Sequence, residues 1–122
     1  MNLTVTIGTR DIACEFAEHR QMLIRGMMRP AIEFTFPDGS IKLDTLRNLV
    51  NDETKTQTIT IVNEDADEDG THARETLEGY TVRSENCIQL RTVETEEATY
   101  EHPAVYEDKI VLQLGLKFSW EA

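Results

Sequence analysis

Leu3, Val5 and Ile7 fall on alternate positions, and after Gly8-Thr9-Arg10-Asp11 so do Ile12, Cys14 and Phe16. A period of two puts each set on one face of an extended chain, so the pair predicts a β-hairpin through the glycine-containing connection. Ile12, Phe16 and Leu23 also fit helical spacing loosely, which leaves a helix over 11–25 as the rival; strict alternation favours strand. Met22 and Ile24 alternate before Gly26, and Ile32, Phe34 and Phe36 after Pro30. These are two strands, or one strand bulged at Gly26. Phe36-Pro37-Asp38-Gly39-Ser40 has the residues of a tight turn: proline presets φ, Asp bonds its own backbone, and Gly takes positive φ. Ile41 and Leu43 then predict the returning strand.

One helix is expected. Asp44 is its N-cap and Leu46, Leu49 and Val50 share a side, which predicts a helix near residues 44–51, roughly two turns at 3.6 residues each. So short a helix does not stand alone and must dock on a sheet. Thr56 to Val62 is rich in β-branched residues, with threonines opposite Ile59 and Ile61, and predicts a half-buried strand. After an acidic loop, Gly79 to Val82 and Cys87 to Val93 predict two more strands turned at 83–86. Residues 94–108, with six acids and no Lys or Arg, read as a surface loop. Ile110, Leu112, Leu114, Leu116, Phe118 and Trp120 then share one face of a last strand that needs a covering layer. The expected fold is mainly β, an antiparallel sandwich or open barrel with one short helix, forming a single domain over residues 1–122.

Composition sharpens the functional side. The chain of 122 residues carries a net charge of −11, with 23 acids and 12 bases. Residues 1–50 hold six of each, so the whole excess lies after residue 50. So acidic a surface repels phosphate backbones, and no nucleic acid is expected as a partner. No 18-residue apolar span occurs, so no membrane-spanning helix is expected. No basic stretch leading into an apolar one stands at the start, so intracellular synthesis, without a secretory signal, is the expectation. Cys14 and Cys87 are then expected as two buried thiols, not a disulfide.

The candidate chemistry is thin. Asp65-x-Asp67-x-Asp69-Gly70 matches the front half of a calcium loop, and Thr71 could add its carbonyl, but the bidentate glutamate at position 12 is replaced by Thr76. Glu75 or Glu78 could close such a sphere outside an EF-hand, so a calcium-dependent binding module is the alternative function. An acidic hairpin tip explains the same residues more simply. Calorimetry with millimolar Ca²⁺ is therefore expected to give no heat and no melting shift. Cys14 and His19 suggest a thiol and a base, yet Cys14 alternates with core positions as a structural cysteine does. The aromatic residues fall mostly on apolar faces and read as core. No P-loop, metalloprotease or hydrolase motif is present. The expectation is no catalytic, cofactor-binding or metal-binding residue, and no cofactor.

Taken in order, "IGTRDIACEFAEH", "RGMMRPAIEFTF", "LDTLRNLVND", "TITIVNED" and "EGYTVR" resemble small structural and tail-region proteins of phages and prophages of Gram-positive bacteria. The resemblance runs over residues 5–93. It implies a virion or tail-assembly protein that is not an enzyme, with protein partners: further copies of itself or other phage structural proteins. It carries over no functional residue. The neutral first half would then suit a docking face and the acidic second half would stay solvated.

Overall fold

The computed structural model describes residues 2–50, 56–65, 73–83 and 87–117. Along the chain run β1 (Leu3–Ile7), β2 (Arg10–Cys14), β3 (Phe16–Ile24), β4 (Met27–Phe36), α1 (Leu43–Val50), β5 (Gln57–Asn63), β6 (Arg74–Thr81), β7 (Ile88–Glu96) and β8 (Val105–Leu116). All eight strands join one antiparallel sheet in the order β2-β1-β5-β6-β8-β4-β3, with β7 on β8. The sheet is open. Its end strands, β2 and β3, are nevertheless consecutive in sequence and separated only by a bend at Glu15, whose N–H donates to Thr35 O at 2.8 Å. A sheet whose two ends are one residue apart has to curl back on itself, and the curl encloses the core.

The enclosed face carries the alternating residues the pattern picks out. Leu3, Val5 and Ile7 of β1, Ile12 and Cys14 of β2, Ile32, Phe34 and Phe36 of β4, Ile59 and Ile61 of β5, and Ile110, Leu112 and Leu114 of β8 form one cluster. Two tethers hold α1 over one end of it. The Pro37–Ser40 turn follows Phe36, with Ser40 N–H on Pro37 O at 3.2 Å and Gly39 at a φ of 82°. At the start of β5, Gln57 Nε2 donates to Leu49 O at 3.4 Å. Leu46 and Val50 point inward, so a helix too short to persist alone persists by burying that stripe.

Several expectations change. The chain over 11–25 is strand, so the helical rival falls. Ile24 and Met27 are paired across a turn in which Arg25 and Gly26 both have positive φ, at 51° and 80°, the pattern of a tight two-residue hairpin. Phe16 is 53% exposed, not core: the bend at Glu15 shifts the phase of alternation, and Ala17 takes the inward position. Ile41 is buried but lies in a loop, and Leu43 opens the helix instead of ending a strand. Asp44 therefore sits in the first turn and not at the cap; its charge still favours the helix N-terminus. β6 begins at Arg74, inside the stretch read as acidic loop, and the strands flanking the next loop reach Glu96 and Val105. Phe118 and Trp120 lie outside the described residues.

Candidate functional site

The sites begin from one mismatch of lengths. β8 has 12 residues, but β4 pairs it only from Ile110 to Gly115. Before Ile110, the segment 105–109 of β8 is paired, among the described residues, with β7 alone, through Arg91↔Lys109, Thr92↔Asp108, Val93↔Glu107 and Glu94↔Tyr106. At ~3.4 Å per residue those five residues carry a two-stranded ribbon about 17 Å beyond the body. This arm, residues 91–109, is exposed along nearly its whole length. Val93 and Val105 lie on one face, Tyr106 (60% exposed) lies on the other, and Tyr100 stands in the loop between the strands.

Two ion pairs fix the root of the arm. Arg91 Nη1 lies 3.9 Å from Glu33 Oε1, and Lys109 Nζ lies 2.5 Å from Glu15 Oε2 at the β2–β3 bend. Glu33 is the hub: Gln113 Nε2 donates to its Oε2 at 2.7 Å and Arg20 Nε lies 3.4 Å from the same atom. A carboxylate this buried on the sheet's outer face is tolerable because it has those partners. On the inner side Leu90 and Ile110 border a groove of about 410 Å³ with Gly39 and Leu43.

At the other end of β8 a second hairpin stands out. Beyond Ala31↔Gly115, β4 continues as Met27 to Pro30, paired among the described residues with β3 alone. Met22 and Ile24 of this tip fold over Gly115, while Leu23 (67% exposed), Met27 and Met28 face outward.

A further concavity of about 350 Å³ lies over the core, lined by Leu3, Ala17, Ile32 and Ile61 below and by His19 and Glu75 above. His19 Nε2 and Glu75 Oε1 are 2.6 Å apart and bridge β3 to β6. The Tyr80 phenol is pushed up, first by burial and then by the charge of Glu75, so it stays protonated at neutral pH.

The structure gives Cys14 and His19 separate partners. His19 is engaged by Glu75, while the Cys14 thiol donates to Phe16 O at 3.0 Å and Thr35 O at 3.4 Å. Burial pushes that thiol up to about 11, against backbone hydrogen bonds that lower it. Cys14 is thus a protonated core residue, and Cys87 is buried beside it in kind but not in place, with its sulfur accepting Arg83 N–H at 3.3 Å. Native protein at pH 7 is expected to resist an aromatic disulfide reagent at both thiols and to react fully in denaturant. The raised Cys14 value also sets a sign for stability. Between pH 9 and 11 the unfolded chain loses a proton that the native thiol keeps, so stability from this group is full below 9 and falls as pH rises to 11.

Of the calcium motif, Asp65 is exposed, with its N–H on Asn63 Oδ1 at 3.0 Å, and Asp67, Asp69 and Gly70 lie outside the described residues. Among the described residues no group of three His, Cys, Asp or Glu is placed to hold a metal ion. Also among them, no helix is long and apolar enough to cross a membrane. The exposed apolar residues of the arm and tip are what the sequence pattern missed. Their signal was apolar residues on both phases of one strand, as in Leu90 with Val93 and Val105 with Tyr106. No family profile, no curated protein and no solved structure matches this chain.

Proposed function

We propose that this protein is a non-enzymatic assembly component, of the virion or tail-structural type, that works through protein–protein contacts of its projecting hairpins. The phage setting rests on the sequence resemblance. The contact mode rests on one observation: the β7–β8 arm overhangs the body by five residues of β8 while exposing Val93, Val105 and Tyr106. An isolated two-stranded ribbon is marginal in water, so apolar side chains on both of its faces gain most when a partner covers them. Its root is held by Glu33 and Glu15, which gives the arm a defined direction. A preset direction lowers the ordering cost of docking.

A photo-crosslinking residue at Val93 or Tyr106, with the exposed Thr58 as control, tests this in cells that also express the genes neighbouring its own. The arm positions are expected to give adducts with one defined polypeptide and Thr58 none. Arm positions that crosslink no more than Thr58, in a protein that melts normally, would remove the reading.

A further inference from the structure

We infer that the partner of the arm is the tip of a second copy of this chain, so that copies join head to tail; this rests on the assembly reading above and specifies it. The placement follows from register. β4 and β8 share a ladder only over Ala31–Phe36 and Gly115–Ile110. β8 overruns it past Ile110, where the arm stands, and β4 overruns it past Ala31, where the tip stands. The pairing is antiparallel, so the two overruns lie at opposite ends of β8. Neither hairpin reaches the other within one molecule, but each is presented to a neighbour.

Their chemistry is complementary. Residues 94–108 contain Glu94, Glu96, Glu97, Glu101, Glu107 and Asp108 and no Lys or Arg. Residues 20–30 contain Arg20, Arg25 and Arg29 and no acid. Arg25 stands at the exposed turn of the tip, and the Arg20 side chain behind it is half exposed. Opposite fields steer such encounters and fix orientation more than they set affinity. Apolar contact supplies the affinity: Val93, Val105 and Tyr106 on one side, Leu23, Met27 and Met28 on the other. Methionines suit this role because their flexible thioethers adapt to a partner's shape. Both hairpins also end in a strand that is paired on one side only among the described residues, β7 on β8 and β3 on β4. Their outer edges can therefore add main-chain hydrogen bonds. A contact between two different patches is heterologous, and repetition closes a ring or extends a chain. A junction of this size is weak alone and gains strength when repeated around a closed assembly.

Mixing two single-surface variants tests the geometry. The arm variant is V93S/Y106S and the tip variant is L23S/M28S; all four positions are exposed, and unchanged melting confirms that each folds. Sedimentation equilibrium up to millimolar protein reads the mass. Wild type is expected to gain mass with concentration, more at 50 mM than at 500 mM NaCl, and each variant alone to stay monomeric. An equimolar mixture is expected to form a dimer and nothing larger, because only one intact arm and one intact tip remain to meet. A wild type monomeric throughout overturns the self-partner, as does a mixture that stays monomeric. A tip variant that dimerises alone indicates arm-to-arm pairing and likewise overturns it. If wild type is monomeric while the arm crosslinks to a different polypeptide in cells, only the head-to-tail inference fails. If neither occurs, the assembly reading falls with it.

Discussion

Replacing Phe34 with alanine is expected to lower stability by about 3–5 kcal/mol and the melting temperature by roughly 10–20 °C. Phe34 is fully buried, faces Ala17 across β3 and Leu112 across β8, and stacks on Phe36 with ring centroids 6.0 Å apart. Removing the ring leaves a void against β4, whose backbone is held by ladders to β3 and β8 on its two sides, so the site relaxes little. The loss is a large share of the roughly 5–15 kcal/mol available to a domain. Phe16→Ala is the control. Phe16 sits one residue past the bend, half in water, and its loss is expected to stay within about 0.5 kcal/mol. Thermal denaturation of the pair separates the observed phase of β3 from the one the alternation alone implies. Equal losses at both positions would contradict the bend.

Gly115→Val is the second large effect, expected at about 1–3 kcal/mol. A Cβ at Gly115 would lie 2.7 Å from Arg83 Cγ and 3.0 Å from Ile24 Cδ1. Neither neighbour can swing clear freely: the Ile24 methyl belongs to a buried side chain of the tip, and the approach to Arg83 is near the base of its stem. Relief requires the β3–β4 tip to lift off β8. The variant should therefore lose melting temperature and also weaken self-association, since the tip no longer presents Leu23 and Met28 at the same angle. Gly115→Ala should show a smaller version of both. A Val variant that melts like wild type would mean the tip does not rest on β8.

The core was legible because burial on one face writes a period of two into the chain. Val5, Ile12, Phe34, Ile59 and Leu112 are all where alternation puts them, fully or nearly fully buried. The turn at Pro37–Ser40 and the inward face of α1 were legible for local reasons, the φ preferences of Pro and Gly and the spacing of Leu46 and Val50. The end of β6 was legible at Gly79 to Thr81, but its start was not, since Arg74, Glu75, Thr76 and Glu78 are exposed and a stretch that buries little leaves no apolar rhythm. The arm escaped notice for the same reason, both of its faces meeting solvent, so acids and apolar residues mix in either phase. Phe16 misled because one bend residue inverts every position after it. The Glu33 hub joins residues up to 80 apart in sequence, a proximity set by strand order alone.

Amide hydrogen exchange across a concentration series bears most directly on the arm as the working surface. In dilute protein, amides of 92–107 are expected to exchange fast while those of 110–115 are protected, because a lone ribbon opens readily and a strand flanked on both sides does not. On raising the concentration, slowing is expected at 92–107 and at 23–28 together. Arm amides already as slow as the core in the dilute monomer, or unchanged where the mass has risen, would contradict the account.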